Sequence, residues 1–368
     1  MATPNLAVLG LFHGRRFVEC LRRSGVARLV AVADLRPERA DFLGKEVEVY
    51  RDYRELILKT RGRIDGIIAA LPNNLHVEVT EEAANAGLPL LLEKPIACNL
   101  EDAEKIVKTV HAAKMKLMVG HHRRFSKRVA RVKEALHEGR LGRIIGVNVV
   151  MTAKKIDEYF EEKWRVTKDV GGVLLINGIH DVDLLRHFLG EVAMVQAQTT
   201  NTSRGHEAED TGAAILTFRN NAVATIFMTD NSPAPWYYEV FGEEYNYSYA
   251  INYNSYQFFG DEASLTFPGM DLFYYEKDSD AGWPRPIKQE RLTVDRFDVI
   301  EEEVKHFCDI IRGEAEPRVT AEDAAESLRV ILAIKESARL GRAICLDRST
   351  APVHSNHHVT NRDGPMPA

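Results

Sequence analysis

Two residues stand where their types and neighbours suit them to chemistry: Lys94 and His180. Lys94 follows the apolar run 88–92 and Glu93, and precedes Pro95. Proline disfavours the helical conformation in the residue before it, so Lys94 cannot belong to a helix and its ammonium must meet water or a partner. It either pairs with Glu93 on the rim of a sheet or brings a positive charge to a ligand. His180 opens the apolar-faced run HDVDLLRHFLG, where a histidine is either a hydrogen-bonded structural group or a general base, its unperturbed pKa of ~6.5 lying near working pH. His180 with Asp181 and Asp183, or His121 with His122, matches no metal-ligand spacing, so no metal is expected.

Further chemistry is suggested near the start of the chain. An apolar run ends at Gly10 and a helix is expected to begin near Gly14, a place where a dinucleotide pyrophosphate rests on helix N-terminal N–H groups. The pattern G-x-G-x-x-G is broken, because Phe12 and Arg15 stand where glycines would let backbone approach phosphate. Gly10, Phe12 and His13 therefore form either a cofactor turn or an ordinary strand-to-helix loop. Asp34 ends the next apolar run 24 residues after Gly10, where an acid accepts hydrogen bonds from the adenosine ribose and repels a 2′-phosphate. That favours NAD over NADP, with Arg36 and Arg39 offsetting the repulsion; the alternative is an acid capping the helical turn at Pro37.

These residues need elements to position them. The first 120 or so residues alternate short apolar runs with amphipathic stretches, the pattern of βαβ units around a parallel, doubly wound sheet. Strands are expected at 5–10, 28–34, 65–70, 88–92 and 116–120, with Asn99 capping a helix between the last two. Residues 71–76 (LPNNLH) and the Glu93-Lys94-Pro95 triplet then fall at the carboxyl ends of strands, the ligand-binding edge of an open α/β sheet. Beyond Gly120 a helix at 126–138 and a strand at 143–152 lead to a helix capped by Asn177 and closed by Gly190. Strands at 192–200, 211–219, 222–230, 237–242 and 255–259, without helices between them, imply an antiparallel sheet. Helices at 296–312 and 320–339 follow. The aromatics Trp236, Tyr237, Tyr238 and Tyr256 fit strand positions in a core, or a stacking wall for a ring-shaped ligand.

Composition narrows the field. With 45% apolar residues in 368, the chain can bury two cores. Its 48 basic and 54 acidic residues, giving −6, leave no segregated basic block, which argues against nucleic acid or a membrane surface as partner. No stretch reaches the ~18 apolar residues of a membrane span. The start lacks a charged leader before a long apolar run, and Cys20, Cys98, Cys308 and Cys345 form no C-x-x-C pair. A cytoplasmic protein is expected.

Taken in order, AVLG…AVAD, LPNNLHVE, LLEKPIA, VGHHRRF and GGVLLINGIHDVDLLRHFLG, closed by EDAAESLRVILAIKESARLGR, resemble the Gfo/Idh/MocA oxidoreductases over about 5–347. The resemblance implies an N-terminal Rossmann domain (1–122), a C-terminal α/β domain with a large open, mainly antiparallel sheet (123–347), and a tail at 348–368 that is expected to be disordered. It implies NAD as cofactor, lined by Gly10, Phe12, His13, Asp34, Arg36, Leu71, Pro72, Asn73, His76, Glu93 and Lys94. It also implies a homodimer or homotetramer joined through the C-terminal sheet. In such proteins the lysine matching Lys94 reaches nicotinamide ribose and substrate hydroxyl, and the histidine matching His180 accepts the proton. The chemistry agrees, since hydride leaves a carbinol carbon only as its hydroxyl proton is lost, which calls for a base and a cation beside the developing alkoxide. Arg123, Trp164, Arg165, Asn177 and His180 match substrate positions. One departure is Ile176, standing where relatives commonly carry an acid; Asn177 is then either a substrate ligand or only a helix cap.

The expected activity is NAD-dependent hydride transfer at a secondary alcohol or ketone of a sugar, cyclitol or cyclic diol. Two alternatives are a redox-neutral NAD-dependent glycoside hydrolase or epimerase, and a non-catalytic nucleotide-binding sensor.

Overall fold

The computed structural model describes residues 3–238, 253–277 and 281–346. The expected tail at 348–368 lies outside the described residues, and of the strand expected at 237–242 only Tyr237 and Tyr238 are described, neither in a strand.

The first layer is a six-stranded sheet of β1 (Asn5–Leu9), β2 (Arg28–Ala33), β3 (Glu48–Tyr50), β4 (Gly66–Ala69), β5 (Leu90–Glu93) and β6 (Leu117–Gly120), in the order β3-β2-β1-β4-β5-β6. Every pairing is parallel. Helices α1 (Arg15–Ser24), α2 (Tyr53–Lys59), α3 (His76–Ala86) and α4 (Leu100–Ala113) make the crossovers. With both faces covered, β4, β5 and β6 are buried throughout, which is why they read as unbroken apolar runs. Asn99 caps α4 by accepting from the Asp102 N–H at 2.9 Å. The strand order turns between β1 and β4, so a crevice opens at their carboxyl ends.

Beyond α5 (Lys127–His137), β7 (Ile144–Thr152) enters a second, nine-stranded sheet. After α6 (Ile179–Leu189) come β8 (Val192–Thr200), β9 (Thr211–Phe218), β10 (Val223–Thr229), β11 (Tyr256–Gly260), β12 (Ala263–Phe267), β13 (Asp271–Tyr274), β14 (Lys288–Arg291) and, last in the chain, β15 (Ile344–Cys345). The order is β14-β13-β12-β11-β7-β10-β9-β8-β15. The sheet is mainly antiparallel, as expected; within it β7 and β10 run parallel at the middle, Val223 opposite Gly146. Between them the chain passes through α6 and the β8–β9 hairpin, long enough for a crossover. The outer face leaves Ile145, Ile215, Val223, Phe227 and Phe259 exposed.

Two C-terminal helices return to the first layer. α7 (Val299–Arg312) lays Val299, Ile300, Val304 and Phe307 into the apolar cluster of Leu6, Val8, Phe17 and Leu21, on the face of the first sheet that α1 covers. α8 (Ala321–Leu340), capped by Thr320 on the Asp323 N–H at 3.2 Å, packs along α4, α6 and β8. A buried polar knot ties the α6 region down: Arg124 holds Asp183 through Nε at 2.8 Å and Nη2 at 2.6 Å, Ser327 donates to Asp183 at 3.0 Å, and Arg186 reaches Asp323 at 2.9 Å. A bidentate guanidinium–carboxylate pair has one good geometry, so the knot fixes the rotation of α6 against its neighbours.

Candidate cofactor cleft and active site

The crevice between β1 and β4 continues into a cleft of about 450 Å³ shared by both layers. At its floor Gly10 has φ +82°, and a Cβ there would lie 2.3 Å from the Ala70 carbonyl oxygen, so glycine alone lets β1 turn out against β4. A Cβ on Gly14 would lie 2.2 Å from the Gly10 oxygen, which explains the second glycine at the start of α1. Asp34 is buried; its Oδ2 accepts from the Leu11 N–H at 2.6 Å and its Oδ1 from the Arg36 N–H at 2.9 Å. It thereby ties the end of β2 to the glycine loop while standing beside Arg36 and Arg39 in the cleft wall.

Leu71, Pro72 and Asn73 line the opposite wall with Glu93 and Lys94. His76 does not. It is fully buried, with Nδ1 facing the Pro95 carbonyl at 2.9 Å and Nε2 facing the Leu71 carbonyl at 3.2 Å. It ties the 71–75 loop to the Lys94-Pro95 turn. Burial alone would raise the pKa of Glu93, but the Arg16 and Lys94 cations outweigh it and keep the carboxylate charged, with Arg16 donating at 2.5 Å. His13, exposed to the cleft, lies beside them; desolvation, then Arg16, lowers its pKa. The wall fits a dinucleotide. The first turn of α1 carries no acid, and Asn73 Nδ2 is buried with no hydrogen-bond partner among the described residues.

Lys94 and His180 are linked through the turn that leads into α6. A widened turn, Leu174–Gly178, precedes that helix, with the Ile179 N–H reaching back five residues to the Leu174 carbonyl; such turns recur at functional sites. From within this turn the Ile176 carbonyl accepts from the Lys94 ammonium at 3.0 Å. His180 follows four residues later, 2% exposed and behind the cleft wall rather than in it. Its ring packs edge-on against His122 at 5.0 Å and His121 at 6.2 Å. Burial, then the charges of Lys94 and Arg123, push its pKa well below the usual histidine value. His180 is thus a neutral imidazole, ready to take a proton rather than give one. Among the described residues no group of three or more His, Cys, Asp or Glu side chains is arranged to hold a metal.

Asn177 is not a cap: α6 begins at Gly178 without a side-chain cap bond. Its Oδ1 accepts from Lys155 at 2.6 Å and its Nδ2 donates to the Tyr237 hydroxyl at 3.2 Å. Lys155 also pairs with Asp230 at 3.5 Å and sits over the Tyr159 ring at 4.2 Å. Trp164 and Arg165 line the cleft from the second layer, as do Tyr159 and Glu162. Arg123 lies deeper than the cleft lining. It is 1% exposed, bonded to Asp181 at 2.8 Å and stacked over the Tyr238 ring at 4.8 Å, so it lies inside the fold and not on the cleft. Two adjacent arginines, Arg123 and Arg124, meet two acids on α6, Asp181 and Asp183. Sequence reasoning missed Lys155, Tyr159, Glu162 and Asp230, which lie in loops with no spacing to mark them.

A parallel doubly wound sheet with an acid closing β2 and a glycine-cornered helix start at its switch point defines a dinucleotide-binding protein of the Rossmann class. Residues 5–121 match the oxidoreductase family described as having an NAD-binding Rossmann fold, and residues 129–248 match the GFO/IDH/MocA C-terminal domain. The chain belongs to the Gfo/Idh/MocA oxidoreductases. It is 31% identical over 185 residues to an inositol 2-dehydrogenase from Rhizobium meliloti, a match that spans 48% of this chain and only 52% of that relative. A myo-inositol 2-dehydrogenase from Thermotoga maritima is 26% identical over 359 residues, 93% of this chain and 98% of the relative. Among solved structures, the WlbA dehydrogenase from Bordetella pertussis, in complex with NADH and UDP-GlcNAcA, superposes with a TM-score of 0.75 at 25% identity over 95% of this chain and all of that one.

Proposed function

We propose that the chain is an NAD-dependent dehydrogenase that interconverts a secondary alcohol and a ketone on a sugar, cyclitol or cyclic diol. The observation that carries this reading is the Lys94 ammonium, anchored on Ile176 at the cleft wall, beside a neutral His180 on the same helical run. Nicotinamide, when bound, takes or returns the hydride. Lys94, at the cleft wall, holds the reacting oxygen and stabilises negative charge as it develops there; the neutral His180 imidazole, packed behind that wall within the field of Lys94, is the base assigned to the hydroxyl proton. Near Asn177, Lys155 and Arg204 both face Asp230, and the hydrogen-bonding set of Asn177, Lys155 and Tyr237 supports a substrate recognised through its hydroxyls. The names of the inositol dehydrogenase relatives favour the same class. The exposed apolar positions on the outer face of the second sheet support a homodimer or homotetramer formed there, in the cytoplasm.

A screen of sugars, cyclitols and cyclic diols with NAD, followed by absorbance of the reduced cofactor, tests the reading. A polyol that yields reduced cofactor supports it. Substrate consumed over retained NAD, with no net reduction, replaces it with redox-neutral chemistry; binding of NADH without turnover of any compound replaces it with a sensor.

A further inference from the structure

Phe12 occupies a place where the phosphate-binding pattern calls for glycine, yet its ring is 53% exposed and not packed into a core. Two guanidinium groups stack on it. Arg39 lies 5.4 Å from the ring centroid, and Arg165, from the second layer, lies 4.7 Å away. The Arg165 guanidinium also lies 4.0 Å from the Tyr159 ring and donates to the Tyr159 carbonyl at 2.6 Å. Arg165 is 4% exposed, forms no ion pair with any described carboxylate, and its Nε is buried without a hydrogen-bond partner. The acid that acts on it is Glu162, whose carboxylate also faces Arg36 at 4.0 Å and Arg39 at 3.7 Å, so three guanidinium groups share one carboxylate and a further anion would be favoured there. Arg165 lines the cleft together with Gly10, Phe12 and His13, the loop that leads into the N-terminus of α1.

We infer that Arg165 is the counter-charge for the dinucleotide pyrophosphate, and that Phe12 is a positioning residue that holds it over the glycine loop. The inference rests on the nicotinamide reading above. It explains how a loop that has lost its glycine at position 12 still takes a pyrophosphate: close backbone approach gives way to a planar donor delivered across the cleft, which suits phosphate oxygens bidentately. It moves Arg165 from the substrate end of the cleft, where the family resemblance put it, to the phosphates.

Fluorescence titration of the full chain with NADH and competition by ADP-ribose, which has the pyrophosphate but no nicotinamide, test it. Arg165→Ala is expected to weaken NADH and ADP-ribose alike, by ~10-fold or more, the scale of a lost charged hydrogen bond. Arg165→Lys keeps the charge without the fork and falls between Arg165→Ala and the wild-type protein. Phe12→Leu, which keeps bulk but loses the π face, is expected to weaken both ligands ~3–5-fold, and Phe12→Tyr to bind like the wild type. Because Phe12 is half exposed, neither change disturbs a core. Weakening of NADH with ADP-ribose unchanged would return Arg165 to the nicotinamide or substrate end and overturn the inference, as would Phe12→Leu binding as tightly as Phe12→Tyr. A wild-type protein that binds no NADH sinks the cofactor reading itself, a separate result.

Discussion

The Lys94 ammonium donates to the main-chain carbonyl of Ile176 at 3.0 Å. The family resemblance implied an acid at that position; here a carbonyl in a widened turn takes the lysine. The anchor therefore belongs to the backbone and is independent of the Ile176 side chain. Ile176→Ala should keep kcat within about threefold of the wild type, whereas Lys94→Ala should lose ~10²–10³-fold, the scale of a lost electrostatic group at the reacting oxygen. Steady-state kinetics on the polyol found by the screen checks both. An Ile176→Ala loss as large as that of Lys94→Ala would show that the side chain matters.

Arg123 is fully enclosed with Asp181, to which Tyr256 also donates. Arg123→Ala should lower stability by ~3–5 kcal/mol, because it strands a buried carboxylate. Denaturant unfolding measures this. A fully stable variant with only a raised KM would put Arg123 at the substrate after all.

Asp34 stands at the adenosine end and ties β2 to the glycine loop through Leu11 and Arg36. Asp34→Ala should lower the NAD-to-NADP ratio of kcat/KM by ~10-fold or more, as charge repulsion against a 2′-phosphate is lost and Arg36 and Arg39 are released. An unchanged ratio would assign the preference elsewhere.

Burial, ahead of neighbouring charges, lowers the pKa values of His76, His121, His122, His180 and His187, to about 3 for His187. In the unfolded chain these groups take up protons near pH ~6.5, and in the folded chain only at lower pH. The unfolded state therefore binds more protons between those limits, and stability falls as pH drops below ~6.5, by up to ~1.4 kcal/mol per unit for each such histidine. Melting temperatures measured from pH 7 down to pH 4 should fall steeply. A flat profile would mean that these imidazoles are not buried neutral.

Much of this architecture is written in local patterns. The fully buried strands of the first sheet show as apolar runs, and the capped starts of α4 and α8 follow from Asn99 and Thr320, because these depend on neighbours within a few residues. What depends on distant partners was hidden. The short β3 and the β12–β14 strands carry too few residues for a periodicity, and the parallel β7–β10 pair is set by a crossover, not by either strand. In the site, Lys94 and His180 could be singled out by type and neighbours, but nothing local says that Ile176 offers a carbonyl, that Asn177 turns to Lys155 and Tyr237, or that His76 and Arg123 are enclosed. These outcomes are decided by packing between layers.

The pKa of His180 is pressed down first by burial and then by Lys94 and Arg123. A base must be unprotonated to act, so the acid limb of kcat/KM should lie below pH ~6.5. A limb at or above that value would assign the proton to another group.

The central claim is met most directly by His180→Ala, measured for both NADH binding and turnover. The account predicts a dissociation constant for NADH close to that of the wild type, together with a rate lower by ~10²-fold or more. Turnover at the wild-type rate, with cofactor bound as before, would contradict it.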